Sequence, residues 1–158
     1  MAKALSGKGE LSGPWMERLR QLAEFRYQMR RFLHFSEEAA GEQGMTVQQY
    51  QLLQVIAAVP EGVAPNISYV AQRMFLRHNT AVELVARAET DGLVERAVDA
   101  TDHRKATLSL TTIGRRGMVR LVEAHLQQLE VSGPELIRAL DTLIGEAQVA
   151  VKPRSEAR

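Results

Sequence analysis

The chain has 158 residues, of which 45% are hydrophobic and 25% are charged, and its formal net charge at pH 7 is +1. This balance excludes a uniformly basic nucleic-acid-binding chain, so any anion-binding surface has to be local. Cysteine is absent, which excludes disulfides, thiolate metal ligands and redox sensing through thiols.

The N-terminal residues 1–14 lack the apolar segment of a signal peptide. No uninterrupted apolar run reaches the ~18 residues that a membrane span requires. We therefore expect a cytoplasmic protein that has a loose N-terminal tail and no membrane partner.

The first predicted helix covers residues 15–40, because apolar residues recur there at helical spacing with arginines between them. Two glycines follow and end it. A second helix begins at Thr46, whose T-x-x-Q spacing to Gln49 is typical of a capping box, and Pro60 ends it.

A pair of short helices joined by a tight turn is predicted next. Asn66 is a suitable N-cap for the first of them, the second begins near residues 78–80, and the Asp-Gly-Leu sequence at 91–93 ends it. The residues predicted to pack the second helix are Val82, Val85 and Ala86. Two helices in this arrangement indicate a helix-turn-helix.

A β-hairpin is predicted after Gly92, where the apolar pattern changes to a period of two over Val94–Val98 and Ala106–Leu110. The connecting residues 99–105 are mostly polar or charged and lack the Asn-Gly or Asp-Gly of a tight turn. We expect this connection to protrude from the domain.

Two further helices are predicted to close the chain. One begins at Thr111 or Thr112 and continues through Leu129. The other begins at Ser132, whose S-x-x-E spacing to Glu135 is typical of a capping box.

The order of these elements resembles that of the MarR family, the multiple-antibiotic-resistance type of transcription regulators. The segments ISYVAQRMFLRHNTAVELVARAETDGLVER, DATDHRKATLSLT and TTIGRRG resemble the family's paired helices, its wing and the start of its fifth helix. The resemblance implies an α+β, mostly helical fold, a winged helix-turn-helix with flanking dimerisation helices. The predicted regions are a tail (1–14), an N-terminal dimerisation helix (15–44), a DNA-binding domain (45–110), C-terminal dimerisation helices (111–150) and a polar tail (151–158).

The function implied by the resemblance is that of a homodimeric, sequence-specific DNA-binding repressor. Three residues depart from the family pattern, the first being Ala100, which stands where proline is more frequent in the wing. His103 stands in the wing where a cation is usual, which makes the wing charge sensitive to pH. Glu83 lies in the recognition helix, where a carboxylate repels phosphate but can accept a hydrogen bond from cytosine N4.

The second helix of such a pair presents its N-terminal residues to the DNA major groove. Asn79 could pair with adenine, and Thr80 could contact a thymine methyl group or a phosphate. Alternatively one of them caps the helix, since Thr80 and Glu83 also have capping-box spacing. The DNA-binding residues predicted in this helix are Arg77, His78, Asn79, Thr80, Glu83 and Arg87.

In the wing, the resemblance implies that Arg104 enters the minor groove while Asp102 steadies the loop. Spacing alone would favour an exposed Arg104–Asp102 ion pair of little energetic value. Lys105 and Arg73 are candidate phosphate contacts, or ordinary solvated surface. Because residues 73–105 contain six cations and six carboxylates, DNA binding requires that the cations face the DNA.

A second copy of the chain is the predicted partner of the outer helices, whose apolar stripes are too broad for one small domain to cover. A two-fold dimer binds double-stranded DNA with a pseudo-palindromic operator whose half-sites are ~10 base pairs apart. The resemblance implies a small aromatic anion as effector, paired with Arg26 or Arg30. The predicted effector pocket consists of Trp15, Phe25, Arg26, Met29, Tyr50 and Leu53. Alternatively, the aromatic residues of the first helix form the core of the dimer.

Two alternatives remain open, a metal-responsive regulator that uses His34, His125 and neighbouring glutamates, and a helical interaction module without DNA binding. An enzyme is disfavoured because the four histidines lie in different elements without H-x-x-x-H spacing. The chain also has neither a G-x-S-x-G motif nor a glycine-rich phosphate loop. We predict no catalytic residue, no resident metal and no cofactor.

Overall fold

The computed structural model describes residues 13–98 and 106–151, with the side chains of residues 98 and 146–151 excepted. Its element order is that of a winged helix-turn-helix with long helices at both ends, so the predicted fold class is confirmed. The elements are α1 Pro14–Glu42, α2 Val47–Ala57, α3 Ile67–Arg73, α4 His78–Thr90, β1 Val94–Val98, β2 Ala106–Leu110 and α5 Thr112–Val151.

The chain divides into two compact units. The outer unit contains the residues up to His34 and from Gln128 onward, and the central unit is Phe35–Gln127. The central unit is broader than the predicted domain of residues 45–110, because Ala39, Ala40 and Leu121 from the adjoining parts of α1 and α5 are buried in its core.

The predicted start signals of two helices are confirmed at atomic detail. Thr46 and Gln49 form a reciprocal capping box, with N···O distances of 3.1 Å from Gln49 N to the Thr46 hydroxyl and 2.9 Å from Thr46 N to the Gln49 side chain. Asn66 caps α3 by accepting a hydrogen bond from the backbone N–H of Tyr69 at 2.9 Å. Each cap satisfies a backbone donor that the helix itself leaves free.

The two predicted strands pair antiparallel, with Val94 opposite Leu110 and Val98 opposite Ala106. The backbone N–H of Leu108 also donates to the carbonyl of Pro65 at 2.8 Å, so the segment before α3 lies along the other edge of β2. The hairpin is thereby held against the helix-turn-helix.

The prediction of two C-terminal helices is wrong for the described residues, since α5 is one helix of 40 residues. Ser132 does not cap a new helix; its hydroxyl donates to the carbonyl of Gln128 at 2.9 Å, one turn back in α5. Pro134 lies inside the helix, where its missing N–H removes one backbone hydrogen bond. The S-x-x-E spacing therefore occurs here within a continuous helix.

Within the two described ranges, no helix is both long enough and apolar enough to cross a lipid bilayer.

Candidate nucleic-acid interface

The turn between α3 and α4 is a helix-ending Schellman motif. The N–H of Leu76 donates to the carbonyl of Ala71 at 2.9 Å, and the N–H of Phe75 donates to the carbonyl of Gln72 at 3.3 Å. Phe75 itself has a left-handed backbone conformation, with φ of +54°. These bonds reverse the chain within a few residues and fix the point at which α4 begins.

Helix α4 has one buried face and one exposed face. Its buried residues recur at the spacing of a single helical stripe, and they are Ala81, Leu84, Val85 and Ala88. The expected burial of Val85 is confirmed. Val82 and Ala86 do not pack as predicted, because each follows a buried position by one residue, about 100° around the helix, and so faces outward.

All six recognition-helix residues predicted to contact DNA lie on exposed surface: Arg77, His78, Asn79, Thr80, Glu83 and Arg87. Val82 joins this exposed face, although it was predicted to pack against the domain. Its signal was available in the period of the buried stripe, which leaves position 82 outside.

Helix α4 begins before Asn79 and Thr80, the two residues that were considered as its N-cap. Its N-cap is Arg77, whose side chain makes no capping hydrogen bond, so Asn79 and Thr80 are the second and third residues of the helix. The proposed capping role of Asn79 or Thr80 is therefore wrong, because the turn at Phe75 sets the first helical residue at His78. The N-terminal N–H groups of α4 carry the partial positive charge of the helix end.

Several carboxylates near α4 are engaged by partners of the central unit. Glu89 forms an ion pair with Arg96 at 2.9 Å. Asp91 accepts a hydrogen bond from the Gln49 side chain at 2.6 Å, and Glu95 accepts one from the Ser109 hydroxyl at 3.0 Å. These contacts reduce the number of acidic groups that compete with phosphate.

Three arginines are available on the same unit. Arg73, Arg77 and Arg87 are exposed, and within the described residues none of them forms an ion pair. Three cations are thus available to phosphate around α4 although the sequence total is balanced, and the exposed carboxylate of Glu83 lies on the same helix. The predicted wing contacts Asp102, Arg104 and Lys105, together with His103, lie outside the described residues.

The predicted effector residues are distributed over both units. Tyr50 and Leu53 are fully buried in the core of the central unit. Trp15, Phe25, Arg26 and Met29 belong to the part of α1 in the outer unit. A ligand would reach Tyr50 and Leu53 only if that core rearranged.

The outer unit contains a cleft of about 430 Å³, which none of the six predicted effector residues lines. Two exposed ion pairs border it, Arg20–Glu17 at 3.3 Å and Arg138–Glu135 at 3.2 Å. Gln21 also lines the cleft, and its side-chain oxygen is buried without a hydrogen-bond partner among the residues that the structure describes. A buried acceptor of this kind is destabilising unless a donor reaches it.

His125, one of the residues considered for metal sensing, is buried in the central unit. Its Nδ1 lies 2.6 Å from the carbonyl of Leu121, and its Nε2 lies 2.9 Å from the Ser36 hydroxyl. The ring also contacts Phe35 and Tyr50, at centroid distances of 5.3 and 4.8 Å. No cluster of three or more metal-ligating side chains occurs in the part of the chain that the structure describes.

The chain is similar in sequence to members of one protein family. The sequence model of the MarR family matches residues 43–105. A protein described as a transcriptional regulatory protein for the hcr operon of Thauera aromatica is 31% identical over 103 residues. The match covers 65% of this chain and 60% of that protein, so the chain spans less than two thirds of this relative's length.

Two solved structures show the same fold. AbsC, a MarR family transcriptional regulator from Streptomyces coelicolor, superposes with a TM-score of 0.66 at 20% identity, over 90% of this chain and 97% of that chain. The transcriptional regulator MOSR of M. tuberculosis, solved in complex with DNA, superposes with a TM-score of 0.55 at 24% identity, over 80% and 95% of the two chains.

Proposed function

We propose that this chain is a transcription regulator of the MarR family and that it acts as a homodimeric, sequence-specific DNA-binding repressor. The observation that carries this proposal is the exposed face of α4, taken together with its N-cap Arg77. Six side chains that can contact DNA lie there, while the opposite face of the helix is buried. A helix with these two faces, held by a tight turn behind a second helix, fits the major groove.

The roles of the α4 residues follow from their chemistry. Asn79 has the amide geometry that pairs with adenine, and Thr80 can contact a thymine methyl group or a phosphate. Arg77, beside the positive end of the helix, is placed to bind phosphate. In the wing, Arg104 is the proposed minor-groove contact, on the strength of the family resemblance.

Dimerisation is supported by the distribution of apolar side chains. Every buried hydrophobic residue of the described chain lies between Ala39 and Leu121, within the central unit. The outer unit instead exposes large hydrophobic side chains, among them Trp15, Leu19, Leu22, Ile137 and Ile144. Helices that carry such an apolar face without a core of their own need a partner surface, and a second copy provides it.

Repression follows if the dimer occupies a promoter. An effector would relieve repression only if it bound the DNA-incompetent arrangement of the dimer more tightly than the DNA-bound one. The outer unit carries aromatic residues and Arg26 on α1, the chemistry that a small aromatic anion requires. We include such an effector in the proposal.

The proposal is tested by measuring binding of the full chain to a duplex that the wild-type protein enriches from a random-sequence pool. We expect a Kd that rises steeply with salt, because phosphate contacts release counterions. Arg77→Ala should reduce the slope of log K against log salt by about 0.9. Arg138→Ala removes an exposed arginine of the outer unit and serves as the matched control, with an unchanged slope.

The alternative of an interaction module without DNA binding makes the opposite prediction. In that case the pool yields no enriched duplex, and any residual binding is equally weak for wild-type protein and Arg77→Ala. That result would overturn the proposed function.

A further inference from the structure

Phe75 is the most exposed large hydrophobic residue among those that the structure describes. It lies in the turn between α3 and α4 and is 97% exposed, while its neighbours Met74 and Leu76 pack against the core. Its backbone φ of +54° lies in the left-handed region, where glycine is the residue without steric cost. A phenylalanine at this position is therefore unfavourable in two ways, because its ring is exposed to water and its backbone is in the left-handed region.

Among the described residues of the central unit, none covers the Phe75 ring, which stays 97% exposed. The Schellman motif that fixes the turn uses only backbone groups, through Leu76 to Ala71 and Phe75 to Gln72, so it does not need the aromatic ring. Because the neighbours are anchored in the core, the ring has to point outward. A glycine would form the same turn and expose no apolar surface.

The position of Phe75 relates it to the candidate DNA interface. It precedes the N-cap of α4, Arg77, by two residues, so their Cα atoms are at most about 7 Å apart. The major groove is about 12 Å wide, and the N-terminal end of α4 is the part that enters it. With the N-terminal end of α4 in the groove, a ring at this distance would lie within reach of the groove edge. The exposed Arg73 and Arg77 flank it along the chain.

We propose that Phe75 is an apolar DNA contact, whose ring packs against deoxyribose carbons or thymine methyl groups at the edge of the major groove. The inference rests on the proposed function, since it requires that α4 enters DNA. Burial of the ring against DNA removes the apolar surface that is exposed in the free protein. The flanking arginines bind phosphate and hold the duplex against the ring.

The test compares two properties of Phe75→Gly, its melting temperature without DNA and its Kd for the enriched duplex. Glycine relieves the left-handed strain, so we expect a melting temperature no lower than that of the wild type. Loss of the ring contact should raise the Kd roughly ten- to a hundredfold. The salt slope should stay unchanged, because no charge is lost. Val63→Ala alters another exposed apolar residue of the same unit and should leave the Kd unchanged.

A second measurement distinguishes the two apolar components of DNA. Replacing thymine by deoxyuridine in the duplex removes the methyl groups and leaves the deoxyribose intact. If the ring contacts a thymine methyl, this replacement weakens the wild type and has little further effect on Phe75→Gly. If it contacts deoxyribose, both proteins respond equally, while Phe75→Gly still binds more weakly than the wild type.

Failure of this inference is separable from failure of the proposed function. If the wild type binds the duplex with the expected salt dependence and Phe75→Gly binds equally well, the Phe75 contact is wrong and the regulator assignment stands. If Phe75→Gly instead changes the sedimentation of the free protein, the ring mediates contacts between copies, and the inference is again overturned. If the wild type binds no duplex, the proposed function itself fails.

Discussion

The backbone carbonyl oxygen of Leu93 occupies the space next to Gly114 in which a side chain would begin. A Cβ atom added to Gly114 would lie 2.1 Å from that oxygen. Thr111 joins the same two residues, because its N–H donates to Leu93 O at 3.1 Å and its hydroxyl accepts the N–H of Gly114 at 3.0 Å. The start of α5 is thereby fixed against the residue that leads into β1.

Gly114→Ala is therefore expected to destabilise the central unit. The added methyl group meets backbone rather than a movable side chain, so α5 or the hairpin has to shift, at a cost of about 1–3 kcal/mol in unfolding free energy. Urea unfolding followed by circular dichroism measures this loss. Gly133→Ala is the matched control, because nothing lies within 4 Å of its added Cβ.

The control should behave in the opposite way, since Ala for Gly in a helix interior stabilises by about 0.5–1 kcal/mol. Equal effects of the two substitutions would show that the close approach at Leu93 is not what requires glycine at position 114.

Local signals in the sequence predicted the starts of α2 and α3 and the two strands, because caps at Thr46 and Asn66 and a two-residue period act over a few residues. The break expected at Ser132 was wrong. A serine three residues before a glutamate satisfies a capping pattern, yet the same hydroxyl can bond to the carbonyl one turn back and leave the helix intact.

For the candidate DNA interface, too, some features were predicted from the sequence and others were not. The presentation of Asn79 and Glu83 expected from helix-turn-helix geometry agrees with their exposure, and the helix start was predicted near residues 78–80. The left-handed turn at Phe75, which fixes the start of α4 at His78, was not predicted. A phenylalanine in that conformation carries no sequence signal, since the turn normally favours glycine. The ion pair between Glu89 and Arg96 could not be predicted either, because it joins two elements that only the fold brings together.

The stability contributions of Ser36 and His125 are expected to be coupled, because a hydrogen bond joins the two side chains. Because a carbonyl only accepts, Nδ1 of His125 donates to Leu121 O, and in the neutral ring Nε2 accepts the Ser36 hydroxyl proton. Ser36→Ala removes that donor from a buried acceptor and should lower the unfolding free energy by about 1–3 kcal/mol. Thermal and urea unfolding measure the change.

A double-mutant cycle checks the origin of this loss. His125→Phe keeps an aromatic ring against Phe35 and Tyr50 without a buried ring nitrogen, so adding Ser36→Ala to it should cost much less than in the wild type. Ser68→Ala, at an exposed helical position, controls for the serine substitution itself. Strict additivity of Ser36→Ala and His125→Phe would contradict the coupling.

The buried Tyr50 is expected to lower the stability of the folded protein at alkaline pH. Its burial raises the pKa of the phenol above the ordinary value of 10.0, and its hydroxyl accepts a hydrogen bond from Gln54 at 3.0 Å. Above pH 10.0 the unfolded chain releases a proton that the folded chain retains, so unfolding becomes more favourable as the pH rises through the raised pKa. Below that range the contribution of Tyr50 is fully present.

The measurement is the unfolding free energy in urea from neutral pH to about pH 11, in wild type and Tyr50→Phe. The variant lacks the titrating group, so its stability should decline less over the alkaline range, although it starts lower because the bond to Gln54 is lost. Tyr27→Phe, on the exposed surface of α1, should keep the wild-type profile. If the unfolding free energies of wild type and Tyr50→Phe declined in parallel with pH, Tyr50 would be excluded as the group that causes the alkaline loss of stability.

Because the outer unit exposes an apolar surface, we expect that one charged side chain introduced there weakens the dimer. Ile137 is 60% exposed on α5, in a unit whose described residues include no buried hydrophobic side chain. Ile137→Glu places a carboxylate in the proposed interface, where it must be desolvated without a partner. We expect the dimer dissociation constant to rise at least about a hundredfold, which corresponds to the loss of one strong interface residue.

Sedimentation velocity over a range of protein concentrations measures that constant directly. Val63→Glu introduces the same charge at an exposed apolar residue of the central unit and should sediment as the wild type does. Ile137→Glu should also bind a two-half-site duplex more weakly, because each copy then binds its half-site alone. Its affinity for a single half-site should be unchanged, since α4 is untouched. A wild type that sediments as a monomer at every concentration would instead show that the exposed stripe does not bind a second copy.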